Sequence, residues 1–321
     1  IQRYGSGVPD SVTAYNTPRW WQERLNSDIG LYIQDSWTIK RLTLNPGLRW
    51  EYLNGQNTST ISGAGRFVPE RRTEVMANVP NWKDFAPRFG AVYDLFGNAK
   101  TALKMTYSKY NGANTTGFAA NYNPLASSAT ANLTWVDLNR DDVAQGNLGC
   151  VYLTAGCEIN FGQLPNGFGS LTSLRRPDPD FARPYNVEST VAVQHELLPR
   201  VSVNASWYHR VFHNLTITDY TTRTASDYTP VNVVSPLDGE VITVYNISPT
   251  ALVKVDRVDF ASDERQQIYD GYEFSLSARL PGGAQVFGGT VTQHTLNVNC
   301  DQPDDPNQFR FCDERERPNP F

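Results

Sequence analysis

The sequence predicts an all-β protein, an antiparallel transmembrane β-barrel with long loops, and three observations lead to this fold class. Runs of about a dozen residues alternate apolar and polar side chains, which gives each predicted strand one apolar and one polar face. The connections between these runs are alternately very short and very long. Gly (23) and Pro (20) are plentiful, as many turns require, and no run shows sustained helical periodicity.

The clearest element is a hairpin over Asp28–Tyr52 that turns at Lys40-Arg41. With a two-residue turn, Ile39 lies opposite Leu42, so the apolar faces of both strands coincide. Asp35 falls on that apolar face, and Pro46 interrupts the second strand, where it cannot donate a hydrogen bond to the sheet. We therefore expect a local bulge at Pro46-Gly47. The apolar face is predicted to carry Leu31, Ile33, Trp37, Ile39, Leu42, Leu44, Leu48, Trp50 and Tyr52.

Three further hairpins are predicted, with turns at Gly97-Asn98, Leu198–Arg200 and Pro281–Gly283. Large loops are expected at about 54–82, 111–183, 221–265 and 299–321. Every tight turn thus falls at one end of the sheet and every large loop at the other, as in outer-membrane barrels. The predicted strands are also longer than the usual ~5–6 residues of globular sheets. We expect residues 1–321 to form a single barrel segment, with about eight to ten spanning strands of a larger barrel.

Composition excludes some classes of protein. The net charge of −5 gives no basic excess for nucleic acid. No apolar run approaches the ~18 residues of a membrane helix. The mean hydropathy of −0.46 is compatible with barrel strands, which are apolar on one face only. No basic-then-apolar signal segment stands at Ile1, so we expect that it was removed or that the chain begins inside a longer protein.

The four cysteines form two close pairs, Cys150 with Cys157 and Cys300 with Cys312. A zinc site is the functional alternative, but the Cys-x-x-Cys spacing of such sites is missing. Two local disulfides, and therefore an oxidising compartment, are favoured over four reduced thiols because both pairs lie in polar loops.

Other candidate sites have simpler explanations. His209 and His213 have the spacing of a helical metal pair, but on a strand four residues span about 13 Å, too far for one ion. His195 and His294 have no Ser/Asp partners that would make a catalytic triad. Gly282-Gly283 and Gly288-Gly289 lack the Lys-Ser/Thr and the helix of a phosphate-binding loop.

The acidic segment near the second cysteine pair could hold calcium, but it lacks the Asp-x-Asp-x-Asp-Gly spacing and the closing Glu. A solvated loop is the better interpretation of Asp301, Asp304, Asp305 and Asp313. Tryptophans that could stack on a ligand are better explained as aromatic girdles at the membrane interfaces. They are Trp20, Trp21, Trp37, Trp50 and Trp207. No cofactor or metal site is predicted.

Three stretches resemble a known family: GLYIQDSWTIKRLTLNPGLRWE, DFAPRFGAVYDLFGNAKTALKMTYSKY and YDGYEFSLSARLPGG. Together they are similar to the barrel of TonB-dependent outer-membrane receptors, most closely the Oar-like receptors with a carboxypeptidase-regulatory-like domain. The resemblance covers most strand pairs from about Asp28 to Val298. It implies a barrel of about 22 strands filled by a plug domain, a TonB-binding box, and location in the bacterial outer membrane. We find no plug, TonB box or terminal membrane strand, and we interpret Phe321 as a break in the chain. The chain is therefore interpreted as an interior part of the barrel of a larger receptor, with a self-contained small barrel as the lesser alternative.

The resemblance implies energised uptake of an unidentified extracellular ligand, with outer-membrane lipid, the plug domain and the TonB complex as partners. The polar faces would line the lumen, where charged side chains would pair with one another, with a plug or with the ligand. The candidates are Arg49, Glu51, Arg88, Asp94, Lys104, Glu188, Arg210, Glu273 and Arg279. A secreted or surface glycan-binding or adhesion protein is the alternative. An outer-membrane hydrolase is disfavoured because no triad is visible, and no enzyme activity is expected.

Overall fold

The computed structural model describes residues 1–169, 171, 175–252, 256–301, 304–309 and 312–316. The strands are β1 (Gln2–Gly5), β2 (Val8–Tyr15), β3 (Glu23–Gln34), β4 (Trp37–Ile39), β5 (Leu42–Asn57), β6 (Thr60–Ser62), β7 (Arg71–Thr73), β8 (Asn81–Asp94), β9 (Thr101–Asn111), β10 (Thr130–Thr134), β11 (Arg175–Pro177), β12 (Tyr185–Leu198), β13 (Val201–His213), β14 (Leu215–Asp219), β15 (Tyr228–Val234), β16 (Val241–Ile247), β17 (Arg257–Ser262), β18 (Gln266–Arg279) and β19 (Gln285–Val298).

Among the described residues, helical structure is confined to short segments. The α-helix α1 covers Gly117–Ala120, and 3-10 turns occur at Pro124–Ala126, Phe161–Gln163, Ala225–Asp227, Pro281–Gly283 and Glu314–Glu316. In the described part of the chain, no helix has the length and hydropathy needed to cross a bilayer. Phe321, interpreted above as a chain break, and parts of the predicted loops 111–183, 221–265 and 299–321 lie outside the described residues.

Nine strands form the main sheet, in the order β19-β18-β13-β12-β9-β8-β5-β3, with β4 also paired to β5. All pairings within it are antiparallel. β5 has 16 residues, and β8, β12, β18 and β19 have 14 each. These lengths suit strands that cross a bilayer at a tilt, which need about 9–11 residues.

The connections of the main sheet follow the predicted alternation. Tight turns join β4 to β5, β8 to β9, β12 to β13, and β18 to β19. The other connections, at 58–80, 112–184 and 214–265, are long. Because the strands are antiparallel and adjacent, all the tight turns lie at one end of the sheet and all the long connections at the other. We call these the turn end and the loop end.

The predicted bulge at Pro46-Gly47 is wrong. β5 keeps an unbroken register with β8 through Pro46 and Phe89. The interruption falls instead on the other neighbour, where β3 ends at Gln34 and β4 begins at Trp37. The carbonyl of Pro46 accepts a hydrogen bond from the Asp35 amide at 3.0 Å, so the missing N–H of Pro46 points at this interruption, where pairing is already broken.

Asp35 is accommodated at the same interruption rather than in a strand. Its carboxylate accepts hydrogen bonds from the Ser36 amide at 2.8 Å and from the Trp37 indole at 2.6 Å. The charge that the sequence places on the apolar face therefore has two local donors.

The N-terminal segment 1–22 and the long connections are folded, and in the described part of the chain the connections contain the largest fully buried side chains. β1, β2 and β10 form one small sheet, and β14 and β11 flank β17 in another, where β11 runs parallel to β17. The hairpins β6-β7 and β15-β16 complete the set. One hydrophobic cluster joins the first sheet to the 112–184 connection and consists of Val12, Ala14, Leu133, Trp135, Ala144 and Ile159. The hydrophobic core thus lies at the loop end, beyond the main sheet.

Both predicted cysteine pairs are disulfide-bonded, Cys150 to Cys157 and Cys300 to Cys312. Each closes a short local loop, with sequence separations of 7 and 12 residues. The chain-entropy model gives each a contribution of about 2.5–3 kcal/mol to the stability of its loop.

Candidate functional site

The register divides the main sheet into two faces. Residues opposite each other in antiparallel strands point to the same side, so pairings such as Leu31 with Trp50 and Val191 with Trp207 build one face across the sheet. We call this the apolar face. It is open to the surroundings, with Leu31, Ile33 and Phe274 exposed by 62%, 73% and 56%. The opposite side, which carries Arg49 and its row, is the polar face.

The register places all nine predicted lumen residues on the polar face. That they line a lumen remains a prediction. Their contacts separate them into a buried cluster at the loop end, cross-strand pairs in the middle of the sheet, and groups at the turn end.

The buried cluster is centred on Arg183, which lies just before β12. Its guanidinium lies 2.8 Å from a Glu51 carboxylate oxygen and 3.5 Å from one of Asp84, and it donates to the Gly112 carbonyl at 2.9 Å. Arg49 binds the other oxygen of Glu51 at 2.6 Å. The Arg183 side chain is only 8% exposed, so this cation is held by two carboxylates away from bulk solvent.

The cluster sits at a split in the sheet. β8 and β9 are paired only from Arg88-Ser108 toward the turn end, whereas β8 stays paired with β5 as far as Asn81. β9 likewise stays paired with β12 as far as Asn111. Residues of the 112–184 connection fill the gap: Phe118 and Phe181 contact Trp82, whose indole donates to the Phe181 carbonyl at 2.9 Å.

A cavity of about 480 Å³ lies beside this cluster on the polar side. Charged and amide side chains predominate in its lining, which includes Asp28, Arg49, Glu51, Asn111, Asn114 and Arg183. Asn111 donates to Glu51 at 3.1 Å. The lining offers hydrogen-bond donors and acceptors of both charges rather than a single-sign pocket.

In the middle of the sheet the predicted residues pair across strands. Arg210 and Glu188 are directly opposite each other on β13 and β12 and form an ion pair, with Nε 2.9 Å from the carboxylate. Lys104 donates to the Gln194 side chain at 2.6 Å. Glu273 accepts a hydrogen bond from the Tyr208 hydroxyl at 3.1 Å.

The remaining candidates have smaller roles. Asp94 accepts hydrogen bonds from the amides of Gly97 and Ala99, both at 2.9 Å, so it caps the tight turn after β8. The Arg88 guanidinium lies 5.1 Å from the centre of the Tyr110 ring. Arg279 is exposed at the turn end of β18.

Three of the histidines, His195, His209 and His213, each contact a different partner and do not cluster. His209 and His213 lie on β13, as predicted, and have different partners: His209 is 2.9 Å from Asp270, and the ring of His213 stacks on Tyr185. His195 lies 2.8 Å from the Thr101 hydroxyl. These contacts give no reason to assign a metal to the histidines.

Sequence reasoning missed two groups at the loop end. Arg183 had no local signal, because its partners come from three separate segments. The second group is Asp259, which is buried in β17 and accepts hydrogen bonds from Tyr122 at 3.0 Å, Arg175 at 2.8 Å and Thr218 at 2.7 Å. Burial and the neighbouring Asp259 raise the pKa of Tyr122. This network joins the 112–184 and 214–265 connections.

A third group, Asp137, Asp141 and Glu158, brings three carboxylates within 4.8 Å of one another. All three already accept hydrogen bonds from backbone amides of the surrounding loop, including Arg140 to Asp137, Val143 to Asp141 and Leu138 to Glu158. Their role is therefore to shape this loop. The aspartates of the second disulfide loop are also engaged, for example Asp301 with Arg265.

Comparison with known proteins bears on the whole chain. A family model described as an outer membrane beta barrel domain matches residues 2–306. No curated protein matches the chain.

Three solved structures match parts of their chains to this one. The outer membrane transporter YddB from Escherichia coli has 10% identity and a TM-score of 0.40, with 83% of this chain and 33% of that chain covered. The FrpB iron transporter from Neisseria meningitidis has 10% identity and a TM-score of 0.41, covering 87% and 27%. The ferric-catecholate import receptor Fiu from Escherichia coli K12 has 14% identity and a TM-score of 0.41, with 86% of this chain and 29% of that chain covered. The chain spans a third or less of the length of these proteins.

Proposed function

The chain belongs to the family of outer membrane beta barrel domains and is located in the outer membrane, and from this premise we propose that it is the barrel portion of a TonB-dependent receptor that takes up an extracellular ligand. The finer assignment to the Oar-like receptors with a carboxypeptidase-regulatory-like domain is part of the proposal. So is the interpretation of residues 1–321 as one barrel segment with its large loops outside the cell.

One observation carries the proposal: a sheet of long strands has an exposed apolar face on one side and paired charges on the other, with every long connection at one end. In an outer-membrane barrel the apolar side faces lipid and the polar side faces the lumen. Folded loops at the outer end would capture the ligand, and the polar face would border its path. Specificity would then reside in the loops.

The polar face also supports contact with a plug domain. Its charges are largely matched within the sheet, as in Arg210 with Glu188, so a plug would meet a surface of mixed sign rather than a strongly charged wall. The cluster around Arg183 and the cavity beside it are the parts of this face nearest the loop end. We propose that they are the first lumen groups that the ligand meets.

The alternative of a soluble glycan-binding or adhesion protein needs a second layer of protein over the apolar face. Among the described residues, no such layer covers Leu31, Ile33 or Phe274. This exposure favours the membrane-embedded receptor.

The proposal is tested in the native host with the intact polypeptide. Strains with and without the gene, each with functional or deleted TonB, are grown in the same rich medium, and the depletion of small molecules is measured by mass spectrometry. We expect at least one compound to be depleted only when both the gene and TonB are present. Depletion that needs the gene but not TonB would show a passive barrel, and the absence of any gene-dependent depletion from this medium would contradict uptake.

A further inference from the structure

The charged residues and histidines that the strands of the main sheet place on its apolar face are unevenly distributed. All but one lie in the half of their strand nearest the loop end, and all but one are basic. The set consists of Arg24, Lys83, Lys109, His195, His209, His213, Asp270 and His294. His195 is the exception in position. The exception in charge, Asp270, already binds His209 and the Trp207 indole, at 2.9 and 3.1 Å.

Three side chains on adjacent strands form a continuous patch, which we call the Lys109 patch. They are Lys109 on β9, Tyr185 on β12 and His213 on β13. The Lys109 ammonium lies 4.1 Å from the centre of the Tyr185 ring. The Tyr185 and His213 rings stack with centres 4.8 Å apart and an interplanar angle of 18°. No ion pair of Lys109 with a carboxylate occurs within the described part of the chain.

The direction of the Lys109 side chain is informative. Lys109 is opposite Val187 in the register, yet its ammonium lies over Tyr185, two residues closer to the loop end. The side chain therefore extends along the sheet toward the loops. This is how a lysine near a membrane boundary keeps its stem in the apolar layer and its charge among polar headgroups.

On the turn-end side of the patch the surface is apolar on β8 and β9, where Phe89 pairs with Tyr107, whereas the same row on β12, β13 and β18 carries Ser189, His209 and Asp270. In the row of Lys109 the register aligns Val187, Val211, Ile268 and Leu296. The next apolar residues on β9 and β12 toward the turn end are Tyr107, Met105 and Val191, and Tyr107 and Met105 are about half exposed. The Lys109 cation thus lies at the loop-end edge of an uncovered apolar surface formed by Phe89, Tyr107 and Met105, which is suited to acyl chains.

We propose that the Lys109 patch binds the phosphate of an anionic lipid in the outer leaflet, with the acyl chains lying on the apolar face below it. Location in the outer membrane, which the family match shows, places lipid against this face, and the long connections mark the patch as lying toward the outside. Charge complementarity selects the headgroup: the patch is basic and has no carboxylate partner that would neutralise Lys109. The inference concerns the lipid side and is independent of which ligand the receptor transports.

Lipid competition measured by native mass spectrometry tests the proposal. The intact polypeptide in a neutral detergent is offered equimolar dioleoylphosphatidic acid and dioleoylglycerol, which have the same acyl chains and differ in the phosphate. A basic residue near an anionic lipid surface is worth about a fivefold preference. We expect the native protein to bind phosphatidic acid over dioleoylglycerol by at least this factor. In Lys109→Gln the ratio of the two bound lipids should be about fivefold lower. Lys109→Arg should retain the native ratio.

Lys104→Gln is the matched control, because Lys104 lies on the same strand but on the polar face. It should leave the lipid preference unchanged. Equal preference in the native protein and Lys109→Gln, or an equal loss in Lys104→Gln, would overturn the proposal. So would complete displacement of the lipid by equimolar inorganic phosphate, which would indicate a site for free phosphate. Since the readout is bound lipid, failure of the proposed uptake function would not affect it.

Discussion

At the scale of single residues, the most buried ion pair of the polar face is that of Arg183 with Glu51. Arg183 is a buried cation held by Glu51 and Asp84, and breaking a buried ion pair costs more than breaking an exposed one because the remaining charge is left without a partner. The pair Glu188–Arg210 offers a comparison on the same face, with the arginine 40% exposed.

We predict that a double-mutant cycle of Glu51→Gln and Arg183→Gln gives a coupling free energy of about 1–3 kcal/mol. The matched cycle of Glu188→Gln and Arg210→Gln should give about 0.2–1 kcal/mol. The measurement is urea unfolding of the protein refolded in lipid vesicles. Equal coupling in the two cycles would contradict the special role of the Arg183 cluster.

Asp219, at the end of β14, should make the folding of the loop end depend on pH. Burial, together with the hydrogen bond and the charge of the nearby Asp304, raises the pKa of Asp219 to about 6, from 3.8. The folded state therefore binds a proton in this window that the unfolded state releases. Stability is thus highest below about pH 4 and falls as the pH rises through 6, by on the order of 1 kcal/mol after solvent screening.

The prediction for Asp219 is tested with Asp219→Asn, which keeps the side chain neutral. At pH 7 its β14 and β17 amides should exchange hydrogen more slowly than those of the native protein, and at pH 4 the two should be equal. Comparing the proteins at the same pH removes the intrinsic pH dependence of exchange. Asp238→Asn, in the exposed tip of the β15-β16 hairpin, is the control and should change neither value.

At the scale of elements, the loop end is held together separately from the main sheet. Asp259 ties Tyr122 and Arg175 of one connection to Thr218 of the next, and it is almost fully buried. We predict that Asp259→Asn destabilises this contact by about 3 kcal/mol, since it leaves the Arg175 cation without its partner. Limited proteolysis should then cut within 112–184 at least tenfold faster.

The main sheet should be unaffected by Asp259→Asn, because none of these residues lies on its strands. On gels, the difference in electrophoretic mobility between unheated and heated samples should be the same for Asp259→Asn as for the native protein. Collapse of the sheet together with the connections would contradict the separation of the two parts.

The strands themselves should distinguish the two faces. Val191 and Thr190 are neighbours on β12 but point to opposite sides. Arginine on the lipid side of a barrel costs about 2–4 kcal/mol near the bilayer centre, whereas lumen positions tolerate charge. We therefore predict that Val191→Arg lowers the free energy of unfolding in vesicles by about 2–4 kcal/mol and Thr190→Arg by less than 1. A larger loss of stability in Thr190→Arg than in Val191→Arg would show that the two faces have been assigned wrongly.

At the scale of the whole molecule, the strands and the placement of turns were predictable and the folded connections were not. The alternation of apolar and polar side chains with a period of two residues is a local pattern. The bilayer imposes it on every spanning strand alike, as in Leu31, Ile33 and Trp50. By contrast, Trp135 contacts Tyr4 and Asp259 contacts Tyr122, and the partners in each pair are more than a hundred residues apart. No local sequence period marks such contacts. The sequence therefore predicted only a polar loop at about 111–183, where the structure has the folded connection 112–184.

The error within the sheet has a local explanation. The bulge expected at Pro46 assumed two intact neighbouring strands, but the interruption between β3 and β4 removes the need for one. Asp94 lies on the polar face, where the sequence placed it, and its position at the end of β8 also makes it a cap for the turn.

The central claim is that lipid covers the apolar face, and nitroxide scanning of β12 tests it most directly. Both cysteine pairs are disulfide-bonded, so single cysteines at 189–194 can be introduced and spin-labelled in the protein reconstituted in vesicles. We predict that positions 191 and 193 collide with oxygen, which dissolves in lipid, and that 190, 192 and 194 collide with a water-soluble nickel complex, alternating residue by residue. Low access to both reagents at 191 and 193 would show that protein covers this face, and the account would be contradicted.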